Sequence, residues 1–202
     1  MDTAKRREQL KAALVAAAER EITARGLRGL KARALAYKVG CAVGAIYNVV
    51  ADLDDLVLLV NSRTLEELER RLATIGSEAH GADEATAQLV RLALAYLDFA
   101  AENRLRWRAL FDHRLPEGRS VPDWYVRNQT RLFGYVEQPV EVLQPSVSPE
   151  QRALIARSLF SAVHGMVVLG LEEKLQLIPL PALREQVTSV VTAIGRGMIA
   201  AK

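Results

Sequence analysis

Helical periodicity constrains this chain's fold more than any other feature. Apolar residues recur at intervals of three and four along nearly every segment, and strict alternation is almost absent. The pattern predicts amphipathic helices and no sheet. Leu10, Leu14, Val15 and Ala18 form the stripe of a first helix over 3–25, which Gly26 ends. Two short segments follow, 31–38 and 42–48. A longer helix starts at Asp52, an acidic residue suited to an N-cap, and runs to 75. The stretch "GSEAHGAD" is a break. Helices then cover 83–101 and 104–113, "RLPEGRS" is a loop, and Pro122 opens the next helix at its first turn. Pro139 is expected to kink or end that helix near Val140. Ser148 as N-cap and Pro149 at the first position open a long helix over 150–175. The stretch "LIPLP" breaks it, and a last helix covers 182–200. The expectation is an all-α fold of about nine helices, with a head over 1–50, a connecting helix over 52–75 and a body over 76–202.

A chain of 202 residues can bury a substantial core, and its composition is that of an ordinary globular protein. Its charge is unevenly spread. Residues 1–50 carry ten Lys/Arg against four Asp/Glu, a balance of +6, and the remainder carries seventeen against twenty, a balance of −3. A basic head on a mildly acidic body points to a polyanionic partner, the alternative being a solvated helix surface. The single cysteine, Cys41, excludes an internal disulfide and a thiolate zinc site, and fits the reducing cytoplasm. The N-terminal stretch resembles a secretory leader. However, Lys11 interrupts its apolar run and Glu19, Arg20 and Glu21 follow at helical positions, so it reads as a helix that is kept. The run over 159–171 is too short to span a bilayer and contains His164.

Two short helices joined by a tight turn inside a basic head form a helix-turn-helix pattern. Ala36 is the small residue where the helices cross, and Gly40 supplies a turn that tolerates positive φ. Val43, Ile46 and Val49 recur at spacing three on the expected inner face, with Leu35 and Val39 as the opposing wall. The small residues Ala42, Gly44 and Ala45 let the second helix lie deep in a groove about 12 Å wide. Tyr47 and Asn48 are then placed to meet phosphates or base edges.

The stretch "RALAYKVGCAVGAIYNVVADLDDL", preceded by "RGLRGL", resembles the DNA-binding head of the TetR family of bacterial repressors. Arg33, Leu35, Ala36, Gly40, Gly44 and Tyr47 stand in register with the family pattern. The resemblance implies a head that binds double-stranded operator DNA through Arg28, Lys31, Arg33, Lys38, Ala42, Val43, Ala45, Tyr47 and Asn48. Arg33 could instead form a structural ion pair, and Tyr47 could pack in the core. The chain departs from the family where it has Val49, Val50 and Leu53 in place of a histidine, a phenylalanine and a phosphate-binding lysine. Ala42 replaces a capping Ser or Thr, and Lys31 replaces a Thr. Asp52, Asp54 and Asp55 bring negative charge close to the expected DNA. The basic run Lys5–Arg7 is a compensating source of positive charge.

The body resembles the WHG subtype of the TetR C-terminal domain, with His164 and Gly165 as the histidine–glycine pair of the penultimate long helix. Nine of the eleven aromatic residues lie beyond residue 60. The resemblance implies a small-molecule effector, with Phe99, Trp107, Phe111, Trp124, Tyr125, Phe160, His164 and Met166 as candidate contacts. The alternative is that these residues fill a core. The His164 partner could be a ligand, a tyrosine or a backbone carbonyl. Arg106 and Arg108 fall on the side away from Trp107 and are expected in solvent. Small residues on the last two helices (Ala156, Ser161, Ala162, Gly165, Gly170, Gly195 and Gly197) point to a homodimer through a four-helix interface.

No nucleophile elbow, metal-spaced His/Glu set or phosphate loop is present in the sequence, so neither an enzyme, a metal nor a cofactor is expected. A thiol switch at Cys41 competes with a simple fit of a small residue. The leading expectation is a ligand-responsive repressor released from DNA by a small-molecule effector. The alternative is a relative with weakened DNA binding that acts as a ligand-binding or protein-partner module.

Overall fold

The computed structural model describes residues 3–76, 79–172 and 178–200. Among the described residues stand nine α-helices and no strand. They are α1 (Thr3–Arg25), α2 (Ala32–Val39), α3 (Val43–Ile46), α4 (Leu53–Ala73), α5 (Ala82–Glu102), α6 (Arg104–Asp112), α7 (Asp123–Leu143), α8 (Pro149–Gly170) and α9 (Leu180–Ala200). A 3₁₀ turn, Leu27–Gly29, separates α1 from α2. The chain forms two compact units. The first comprises Met1–Glu66 and Asn103–Val126, and the second comprises Glu67–Glu102 and Arg127–Lys202.

The first unit is built around α1. Leu14, Ala17, Ala18 and Ile22 are wholly buried, and so are Leu35, Ile46, Leu56 and Val60, which belong to the same core cluster. Burying each large aliphatic side chain contributes roughly 1.5–3 kcal/mol. Ion pairs tie α1 to its neighbours. Glu21 binds Lys38 of α2, and Glu19 binds Arg63 of α4 at 3.2 Å and Arg106 of α6 at 2.8 Å. Arg106 is therefore buried rather than solvated, because Glu19 and the Asn103 amide oxygen accept from its two terminal nitrogens inside the unit. Arg108 is half-exposed and pairs with Asp112.

In the second unit α9 lies along α5, and α8 packs on both. Two of the small residues expected to serve self-association instead serve this packing. A Cβ on Gly195 would stand 2.7 Å from the Thr86 side chain, and one on Gly170 would stand 2.6 Å from Leu183. Ala156 is likewise buried. Of the two outcomes expected at Pro139, an end is not seen, and α7 continues to Leu143. Val140 and Leu143 are fully buried, so core packing holds the last turn despite the missing donor.

Ser148 and Gln151 cap α8 reciprocally, each side chain meeting the other's backbone N–H at 3.2 Å. The helix ends at Gly170, and Leu175, to which the sequence pattern extended it, lies outside the described residues. α8 has 22 residues and a mean hydropathy of 1.6 over its most apolar stretch. By length and composition it matches a membrane span, which the shorter run over 159–171 does not. A packed core helix meets the same criterion, and Leu159, Val163 and Val167 of α8 are buried in the fold.

Candidate functional site

In the head, α2 ends at Gly40, whose φ of 70° and ψ of 37° are left-handed. That conformation requires glycine far more than the surrounding space does, since a Cβ there would meet nothing within 4 Å. The turn closes when the Cys41 N–H donates to the Ala36 carbonyl at 3.0 Å. α3 is a single turn, shorter than the 42–48 segment expected. Tight backbone bonds from Asn48 to Ala45 and from Val49 and Val50 to Ile46 continue it. Ala42 and Lys31 stand at the N-cap positions of α3 and α2 without a side-chain capping bond.

Burial divides this segment in two. Ile46, Val49 and Val50 face the core, whereas Val43 is 38% exposed and Tyr47 is 49% exposed. Val43 therefore does not share the inner face with Ile46 and Val49. With α3 only one turn long, the inner contact falls to Ile46 and the turn that follows. Ala42, Gly44 and Asn48 are exposed and Ala45 is half-buried. A Cβ at Gly44 would also meet nothing within 4 Å, and Gly44 has no positive φ. Nothing inside the protein requires glycine there, which leaves the outer surface of α3 low.

Arg28, Lys31 and Arg33 are exposed on the same unit. Lys38 is part-exposed and bound to Glu21, so it is both a head ion pair and a surface cation. The sequence reading missed Tyr37, which is 90% exposed and sits one turn beyond Arg33 on the outer side of α2. Its signal was available, because position 37 falls outside the buried set Leu35 and Ala36.

The carboxylates at the start of α4 are held within the protein. Asp52 accepts the Asp55 N–H at 2.8 Å, and Asp55 accepts the Ala51 N–H at 3.1 Å. The Arg119 guanidinium, from the loop between α6 and α7, binds Asp52 and also Asp55 at 2.6 Å. His113 Nε2 lies 2.9 Å from Asp54. The Asp55 backbone N–H, followed by Arg119, holds the Asp52 carboxyl below the usual range. The sequence gives no signal for these partners, which lie about sixty residues away.

The eight candidate effector residues divide between the two units. In the first, Trp107 and Phe111 meet edge to face at 5.6 Å, and Trp124 and Tyr125 do so at 5.7 Å. Burial pushes the Tyr125 phenol up to about 12, against the opposing effect of a hydrogen bond from Asn61. Asn61 is itself buried. Its amide nitrogen reaches the Ala109 carbonyl at 3.1 Å, and its oxygen has no hydrogen-bond partner among the described residues. In the second unit, His164 Nδ1 and the Tyr96 hydroxyl are 2.7 Å apart. The His164 ring stacks on Phe160 at 5.3 Å, and Phe160 meets Tyr96 and Phe133 edge to face. Burial holds the His164 imidazole below its ordinary value, which favours the neutral ring. Phe99 is wholly buried with the Arg71 guanidinium 5.1 Å from its ring centre, and Met166 is half-buried.

Residues 89–194 match the family described as the tetracyclin repressor-like C-terminal domain. The HTH-type transcriptional regulator Rv1816 of Mycobacterium tuberculosis is 27% identical over 128 residues, which span 63% of this chain and 54% of that relative. A protein with unknown function from Rhodococcus is similar in fold, with a TM-score of 0.73 and 24% identity over 93% of this chain and 94% of its own. A TetR protein of Acinetobacter baumannii, solved in complex with minocycline, has a TM-score of 0.61 and 17% identity over 98% of this chain and 96% of its own.

Proposed function

We propose, because the chain belongs to the tetracyclin repressor-like (TetR) family, that it is a transcriptional regulator that binds operator DNA and is released by a small-molecule effector. It works by binding, not by catalysis, and acts in the cytoplasm as a homodimer. The division of residues 42–50 into a buried side and an exposed side carries this reading. Ile46 anchors the segment, Val43, Tyr47 and Asn48 are left outward, and Arg28, Lys31 and Arg33 are exposed on the same unit. In this reading Tyr47 and the cations meet phosphates, while Val43, Ala45 and Asn48 face bases. The effector contacts the aromatic group of the second unit, where the neutral His164 and the Tyr96 hydroxyl provide polar handles among Phe133 and Phe160.

Gel-shift titration with the DNA upstream of its own gene tests this reading. The expected result is sequence-selective retardation that a screened effector reverses, and its absence at low salt would defeat the reading. The burial of Val49 favours a second reading, a relative that has lost operator binding, because that position offers no charge to a phosphate. The same titration decides between the two.

A further inference from the structure

We infer that a cleft between α1 and the α3–α4 turn seats a backbone phosphodiester of duplex DNA, with Arg7 and Lys11 supplying the cations that the turn lacks. The inference rests on the DNA-binding reading above and deepens it. The cleft has a volume of about 370 Å³, and its walls include Arg7, Lys11, Tyr47, Asn48, Asp55 and Trp124. Arg7 and Lys11 lie one turn apart on α1, so both side chains rise from the same helix face. They also line an adjoining hollow of about 420 Å³ with Thr3, Glu8 and Val49.

The chemistry of the walls fits an anion. Tyr47 contributes a hydroxyl and Asn48 an amide beside the two cations. The turn's own residues Val49, Val50 and Ala51 carry no charge. Asp55 is the carboxylate of the cleft, and its charge is met by Arg119 at 2.6 Å and by the Ala51 N–H. Arg119 is therefore a positioning residue, since it holds the Asp55 carboxylate and reduces the repulsion that a phosphate would meet there. Glu8, in the adjoining hollow, is the remaining acidic wall, so the two hollows are lined by two cations and two carboxylates, of which Asp55 is already held by Arg119.

The test is a titration of the full-length protein with its upstream duplex over a range of potassium chloride concentrations. Arg7→Gln and Lys11→Gln should each reduce the slope of log affinity against log salt by about 0.9, and should weaken specific and random duplexes alike. Arg91→Gln, an exposed change in the second unit, should leave the slope unchanged. Both α1 positions reach solvent, and unchanged thermal midpoints in the variants would exclude a folding defect. Wild-type slopes in R7Q and K11Q would overturn the inference while leaving operator binding intact. Failure of the wild type to bind any duplex would overturn both readings. Inorganic phosphate alone provides the last arm. A thermal shift lost in R7Q, with an unchanged DNA slope, would assign the cleft to a free phosphate and overturn the DNA seat.

Discussion

Glu19 of α1 receives two guanidinium groups from distant parts of the chain, Arg106 at 2.8 Å and Arg63 at 3.2 Å. The Arg106 side chain is only 10% exposed, so removing it would take its shorter partner from Glu19 and break the bond to the Asn103 oxygen. Hydrogen bonds to charged groups contribute about 1.5–3 kcal/mol, and Glu19 retains access to water. Arg106→Ala should therefore lower the unfolding free energy by about 2–3 kcal/mol, read from urea midpoints at constant m. A loss below about 0.5 kcal/mol, the usual range for surface changes, would mean that the pair contributes nothing. The helical pattern misplaced this arginine because it marks faces as apolar or polar. It cannot mark a charged residue whose partner lies on another helix.

The helices themselves were legible because their signals are local. Periodicity located α1, α5 and α9, Ser148–Pro149 marked the start of α8, and Gly40 marked the turn of the head. Signals that tertiary packing overrides are read less well, as at Val43, whose exposure follows from α3 being one turn long. The candidate site was legible only in part. The sequence singled out His164 and left its partner open, and Tyr96 of α5 fills that role. That contact between α5 and α8 has a pH signature. Burial depresses the His164 pKa in the folded state, so the unfolded chain takes up the proton first as pH falls. The contribution is fully present above the ordinary histidine value of about 6.5 and is lost as pH falls towards the folded value. The depressed carboxyls Glu21 and Asp52 titrate in a more acidic range. Urea midpoints between about pH 7.5 and 5.5 should fall more for the wild type than for His164→Gln. Identical pH profiles for the two proteins would show that His164 is not coupled to folding.

At the scale of the molecule, α8 leaves more apolar surface uncovered than a finished bundle should. Only 28% of its most apolar stretch is buried, and Leu154 and Leu169 are 61% and 60% exposed. Leu154, Ser158, Ser161 and Ala162 recur at helical spacing on the exposed side, and Gln186, Ser189, Ala193 and Gly197 do so on α9. Gly170 and Gly195 are already occupied by packing within the chain, whereas Gly165 and Gly197 face open space. A second copy, brought up by two-fold symmetry, would cover both exposed stripes and bury the two leucines. Because these leucines are solvent-facing within one chain, charged substitutions there should cost little folding stability. In a dimer they would place carboxylates in a desolvated contact. The double variant L154E/L169E should therefore raise the dimer dissociation constant by about 100-fold or more, equivalent to about 2.8 kcal/mol, with an unchanged thermal midpoint when extrapolated to the monomer. Sedimentation equilibrium at micromolar concentration would measure it. A wild type that sediments as a monomer, or a variant that stays dimeric, would remove these stripes from the interface.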